Sequence, residues 1–273
     1  MSWLAVRVSA GAAREAALAA LFELGSQGVQ EIGDELVTHF PGDVHADAVI
    51  RAVQRAAPGS SVETSRVAAV DWTEEWKHGV RAHDLGALSI VPPWLADGRD
   101  AARTIVIEPE MAFGTGEHET TRGVVRLLPA AIRPGDRVAD LGAGSAVLAI
   151  AAAKLGAGRV AAIEIDPDAI ANARENVARN GVAGAVTVLE GDAAVLLPLV
   201  APVRVVVANI LSSVLLALLP VIRSALSADG EAILSGILVE ERATMLAALV
   251  NDGWRVVAED VEGAWWTVRT ARP

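Results

Sequence analysis

Residues 3–8 follow the period of two expected of a strand, and over residues 12–24 the spacing changes to that of an alanine-rich helix. Residues 29–32 and 35–40 read as two further strands around Gly33-Asp34, a tight hairpin turn. Residues 46–56 are helical again, Pro58-Gly59 closes them, and residues 61–69 are strand-like. The predicted order is βαββαβ, that of a ferredoxin-like domain, a scaffold that by itself indicates no activity.

From Thr104 onward strands and helices alternate. The predicted elements cover residues 137–141, 147–155, 160–165, 167–180, 186–190, 203–209, 211–226, 231–235 and 239–251. The strands are unbroken apolar runs, as in a parallel sheet covered on both faces. Residues 254–261 and 265–269 then flank Glu262-Gly263, a hairpin that adds an antiparallel edge. Between the two regions the texture differs: Asp71-Trp72-Thr73-Glu74-Glu75-Trp76-Lys77 and Val91-Pro92-Pro93-Trp94 concentrate tryptophans, which read as hydrophobic anchors of a packed connection. The expected organisation is a small α+β domain over residues 1–69, a linker over 70–102 and an α/β domain over 103–273.

Composition narrows the class. With 273 residues, 52% of them hydrophobic, the chain can build its cores without staples. It has no cysteine, which excludes disulfides, thiolate metal sites and a cysteine nucleophile, and suits a cytoplasmic protein. The most apolar stretch, residues 210–222, is well short of the roughly 20 residues that span a bilayer, so a soluble protein is expected. His39, His45, His78 and His83 show no metal-ligand spacing. A formal charge of −11 argues against naked nucleic acid as a partner. A basic protein or a cationic small molecule fits better, although acidity also serves solubility alone. A monomer is expected.

The chemistry begins at Asp140-Leu141-Gly142-Ala143-Gly144-Ser145-Ala146, where a buried strand turns into a helix. Gly142 and Gly144 sit where the backbone must bend tightly and approach a ligand. Such a turn alone is shared by several nucleotide chemistries. Asp140 at the strand end repels a phosphate but can accept from a cationic amino group; it can equally cap the turn. Glu164 stands 22 residues beyond Gly142 at the end of the next strand, placed to take both ribose hydroxyls of a nucleoside. Asp166 reads as a helix cap, with Pro167 in the first turn. Asp192, after Gly191, reaches either an adenine amine or solvent.

The segment Glu108-Pro109-Glu110-Met111-Ala112-Phe113-Gly114-Thr115-Gly116-Glu117-His118-Glu119-Thr120-Thr121, with Val207-Ala208-Asn209-Ile210-Leu211 and Ser235-Gly236-Ile237-Leu238, closely resembles the PrmA family, the bacterial methyltransferases of large-subunit ribosomal protein eleven. The resemblance covers nearly the whole chain. It implies a class I Rossmann-like methyltransferase domain, with a seven-stranded and mostly parallel sheet, preceded by a substrate-recognition domain. It implies S-adenosylmethionine as cofactor and a large-subunit ribosomal protein as partner. Carried over by position, Thr121, Gly142, Glu164 and Asn209 contact the cofactor, and Phe113 and Thr115 cover its methionine end; Asp140 and Gly144 join them from the reading of the turn, and Asp192 from the end of the third strand. Two departures stand out: Ala146 replaces a glycine usual in the family's turn, and Glu164 stands where aspartate is commoner. Ala146 is acceptable if the helix has already begun there.

Methyl transfer from a sulfonium needs alignment rather than covalent catalysis. Asn209 offers a side-chain oxygen, and its own or Ile210's carbonyl a second acceptor, to hold the hydrogens of a lysine or N-terminal amine. Asn209 is therefore the candidate catalytic residue. His118, between Glu117 and Glu119 at a predicted helix start, reads as a cap as readily as a base and is not assigned to catalysis. A methyltransferase of another protein or small molecule, and a nicotinamide-dependent oxidoreductase on the same glycine turn, remain the alternatives.

Overall fold

Alternation puts Leu4, Val6 and Val8 on one face of strand β1 (Ser2–Ser9), and all three are buried in the computed structural model, which describes residues 2–26, 28–33, 35–41, 43–68, 80–108 and 116–272. Helices α1 (Arg14–Glu23) and α2 (Ala46–Ala56) cover that face with Leu21, Val49 and Val53, joined by Leu36 and Phe40 of β3 (Glu35–Pro41). Burial of each such aliphatic or aromatic side chain contributes about 1.5–3 kcal/mol. With β2 (Gln30–Ile32) and β4 (Ser61–Ala68) the sheet runs β2-β3-β1-β4, antiparallel throughout. This is the ferredoxin-like order expected from the pattern.

The chain divides into two units, Met1–Gly79 and Val80–Pro273. Residues 80–102, read above as part of the linker, fall in the second unit. There β5 (His83–Asp84), β6 (Ser89–Val91) and β7 (Thr104–Val106) form a small sheet that buries Ile90 and Ile105. The tryptophans expected as anchors at 72 and 76 lie outside the described residues.

The main sheet is built from β8 (Arg137–Leu141), β9 (Arg159–Glu164), β10 (Val186–Glu190), β11 (Val203–Asn209), β12 (Leu226–Leu238), β13 (Arg255–Glu262) and β14 (Trp265–Ala271). Its order is β10-β9-β8-β11-β12-β14-β13; the first five strands are parallel, and β14 runs antiparallel to both β12 and β13. The connecting helices are α3 (Glu119–Leu127), α4 (Val147–Lys154), α5 (Pro167–Arg179), α6 (Ala193–Val200), α7 (Ser212–Ala225) and α8 (Arg242–Asn251). In β11, Val205 and Val207 enter one core with Val147 and Ala151 of α4, while Val206 and Ala208 enter the other with Leu215 and Ile222 of α7. Burial on both faces is why these strands read as continuous apolar runs.

Strand order reverses direction between β8 and β11. Outside the carboxyl ends of the strands at such a switch point, the diverging connections leave a crevice. Among the described residues, no helix is long and apolar enough to cross a membrane.

Candidate functional site

The turn after β8 is built from left-handed backbone. Gly142, Gly144 and Ala146 have φ of 70°, 50° and 63°, a region that glycine enters freely and alanine does not. The amides of Gly142 and Ala143 both donate to the carbonyl of Ile163, at 2.9 and 3.0 Å, so the turn is pinned to the end of β9. A Cβ on Gly142 would stand 2.5 Å from Cγ2 of Ile210, which leaves no room for a side chain. The expectation for Ala146 is corrected: the helix has not begun there. Ala146 is the left-handed residue before α4, fully buried, with its methyl group accommodated at the cost of backbone strain.

Glu164 ends β9, mostly buried, and its carboxylate closes on backbone. Oε2 accepts from the Gly144 amide at 2.7 Å, and Oε1 from the amides of Ile165 and Asp166 at 2.8 and 2.9 Å. Three of about four acceptor positions are thus filled, so a diol gripped through both oxygens must displace part of this set. Asp140 is fully buried below the turn. Its Oδ2 accepts from the Ala149 amide in the first turn of α4 at 2.9 Å, whereas among the described residues Oδ1 has no hydrogen-bond partner. Burial pushes the carboxyl up to about 7, the Ala149 amide opposes that shift, and Glu164 adds to it. Asp166 and Asp192 are the N-caps of α5 and α6, accepting from Asp168 and Ala194.

Gly142, Gly144, Glu164, Gly191, Asp192 and Asn209 come together around one cavity of about 440 Å³ at the switch point, within the range of small-molecule sites. Ile163, Ile165, Ile210, Leu211, Val214 and Leu218 give it apolar walls. Asp140 and Thr121 do not line it. Thr121 is fully buried on α3, and its Oγ1 accepts from Nδ2 of Asn209 at 3.4 Å. Among the described residues nothing donates to Oδ1 of Asn209, which leaves that oxygen as an acceptor. His118 caps α3, its Nδ1 accepting from the Thr120 amide, and its ring meets Trp265 edge to face with centroids 4.9 Å apart. Phe113 and Thr115 lie outside the described residues. The cavity can hold a nucleoside-like molecule, with apolar walls for a base, a carboxylate for hydroxyls and an amide oxygen for a donor.

A second set of polar residues escaped the sequence reading. Asn176 on α5 is fully buried; its Nδ2 donates to the Ser145 carbonyl at 3.3 Å, and its Oδ1 accepts from the Glu108 amide at 3.1 Å. It ties the glycine turn to the chain leading into the Phe113 segment. Asn180 pairs with both backbone groups of Val106, as a neighbouring strand would. The available signal was asparagine at 172, 176 and 180, a spacing of four that sets amides along one side of a helix.

The family model for ribosomal protein L11 methyltransferase (PrmA) matches residues 10–273. The chain is 38% identical over 248 residues to the ribosomal protein L11 methyltransferase of Thermus thermophilus, with 91% of each protein covered. It is 42% identical over 220 residues to that of Pelotomaculum thermopropionicum, covering 80% of this chain and 71% of the relative. Among solved structures, the ribosomal protein L11 methylase of Lactobacillus delbrueckii subsp. bulgaricus matches with a TM-score of 0.62 at 33% identity, over 70% of this chain and 98% of that one.

Proposed function

We propose that this chain, which belongs to the ribosomal protein L11 methyltransferase (PrmA) family, transfers methyl groups from S-adenosylmethionine to lysine or N-terminal amines of ribosomal protein L11. The observation that carries this reading is the single cavity where the glycine turn, Glu164 and Asn209 converge from the ends of β8, β9 and β11. Its residues fit the cofactor: the left-handed glycines bring bare backbone to the cavity wall, the Glu164 carboxylate lines the cavity and would accept from ribose hydroxyls in exchange for part of its backbone set, and the apolar walls suit an adenine. When bound, the cofactor supplies a methyl group already activated by a sulfonium.

What remains for the protein is placement. Glu164 and the turn at Gly142 and Gly144 would hold the nucleoside, and Asp192, which lines the same cavity, would accept from an adenine amine. The Asn209 amide is oriented from behind, because Nδ2 is committed to Thr121. Its Oδ1 then accepts a hydrogen of the incoming amine and aims the nitrogen lone pair. A lysine ammonium titrates near 10.4 in water, and transfer to an apolar cavity favours the neutral, nucleophilic amine. The acidic balance of the chain favours a basic protein substrate in the cytoplasm.

Calorimetric titration should show binding of S-adenosylmethionine and none of NAD, and mass spectrometry of purified L11 incubated with enzyme and cofactor should show whole methyl additions on amines. An unmodified L11 despite tight cofactor binding would shift the assignment to another methyl acceptor. Replacing Asn209 by Ala should cut turnover by more than roughly tenfold; normal turnover would remove Asn209 from the mechanism.

A further inference from the structure

Strand β12 does not pair evenly with β14. Leu234 faces Val268 and Ile237 faces Trp266, so β12 carries one more residue than its partner between these pairs. The bulge contains Ser235 and Gly236, and bulges beside active sites serve to re-aim neighbouring groups. On its other side β12 still pairs in parallel with β11 up to Asn209, opposite Ser235, and the Ile210 amide donates to the Ser235 carbonyl at 3.2 Å.

The bulge presses its glycine onto the Ile210 peptide. Gly236 has φ of 81°, and a Cβ there would stand 2.3, 2.8 and 3.0 Å from the O, C and N of Ile210. Those are backbone atoms, which cannot rotate away as a side chain can. Ile210 meets Gly142 on its side-chain methyl and Gly236 along its peptide, so two left-handed glycines seat it. Ser235 anchors the bulge from below: its Oγ pairs with Thr267 Oγ1 at 2.7 Å and donates to the Thr120 carbonyl at 3.3 Å, all three residues being buried. Gly236 does not line the cavity, so it can act on a ligand there only through its neighbours.

We infer that Gly236 is a positioning residue for the methyl-accepting amine: the Ser235-Gly236 bulge seats the Ile210 peptide and thereby fixes where Asn209 holds the nitrogen. The inference rests on the amine-holding role proposed for Asn209. Transfer to an already activated methyl depends on alignment, and a displacement of about 1 Å at the acceptor costs on the order of a hundredfold. Any side chain at 236 must move the Ile210 peptide by a comparable amount.

The test is a double-mutant cycle on the full chain with L11 as substrate. Gly236→Ala should lower kcat by more than roughly tenfold while changing the KM for S-adenosylmethionine by less than about threefold, and in the Asn209→Ala background it should change kcat by less than about threefold. A kcat within threefold of wild type, an equal loss in both backgrounds, or cofactor affinity falling in step with kcat would each overturn the inference. Should Gly236→Ala fail to fold, Ser235→Ala decides the matter in the same cycle, since it leaves the backbone unstrained and removes the anchors to Thr267 and Thr120. It should lower kcat more than about threefold, and only when Asn209 is present; an unchanged kcat overturns the inference. Wild-type turnover in Asn209→Ala alone would remove the reading it rests on, whereas a slow Asn209→Ala beside a normal Gly236→Ala removes the present inference only.

Discussion

Two residues of the glycine turn carry strain of different kinds. Ala146 holds left-handed backbone with φ of 63°, which costs a residue with a Cβ on the order of 1 kcal/mol. Ala146→Gly should therefore raise unfolding stability, by less than about 1 kcal/mol in urea titrations because the added flexibility of the unfolded chain offsets part of the relieved strain; a loss of stability would mean that packing of the buried methyl outweighs the strain. The strain at Asp140 is electrostatic. Burial raises its carboxyl to about 7 in the folded chain, against 3.8 as the ordinary value. Between those values the folded chain keeps a proton that the unfolded chain has released, so stability falls as pH rises through the window. Above about 7 the ionised carboxylate is buried with the Ala149 amide as its hydrogen-bond partner. Asp140→Asn removes the titration, and its stability relative to wild type should rise by a few kcal/mol between roughly pH 4 and 7. Parallel pH–stability curves for the two proteins would show that Asp140 is not protonated on folding.

Among the elements, those with a strong period were legible and those shaped by tertiary contact were not. The parallel strands announced themselves as apolar runs because both faces are buried, and Asp166-Pro167 marked the start of α5 with a cap and a fixed φ. The glycine turn was legible for the same local reason. By contrast, α6 escaped because its eight residues are nearly all apolar and contain Pro198, which leaves no helical period to read. The strands β5 to β7 are two or three residues long, and Asn180 stands in for strand pairing at Val106. Ser235-Gly236-Ile237-Leu238 was visible as a motif, but the bulge and its contact with Ile210, just past the end of β11, were not. The Asn176 bridge gives this level its own test. Asn176→Ala strips partners from the buried Ser145 carbonyl and the half-buried Glu108 amide, and should cost about 2–3 kcal/mol in urea unfolding. A change below about 0.5 kcal/mol, the size of an ordinary surface substitution, would show that these bonds do not hold the turn.

At the scale of the whole molecule, each unit has its own core: Leu4, Leu21 and Phe40 in one, the two faces of the seven-stranded sheet in the other. Among the described residues, those that line the cavity at the switch point belong to the second unit. A chain beginning at Val80 should therefore bind S-adenosylmethionine within about threefold of the full-length affinity. Methylation of L11 is another matter if the small unit recognises the substrate. Residues 1–60 carry four arginines against seven acidic residues, a surplus of negative charge suited to a basic protein. Tethering a recognition module beside a reaction site raises apparent affinity by roughly 10²–10⁴ through effective concentration. The truncated chain should lose about that factor in kcat/KM for L11 while keeping measurable kcat at very high substrate. Salt provides the second readout: kcat/KM of the full chain should fall as ionic strength screens the small unit's charge, and that of the truncated chain should respond less. Equal kcat/KM for the two proteins would place substrate recognition entirely within residues 80–273.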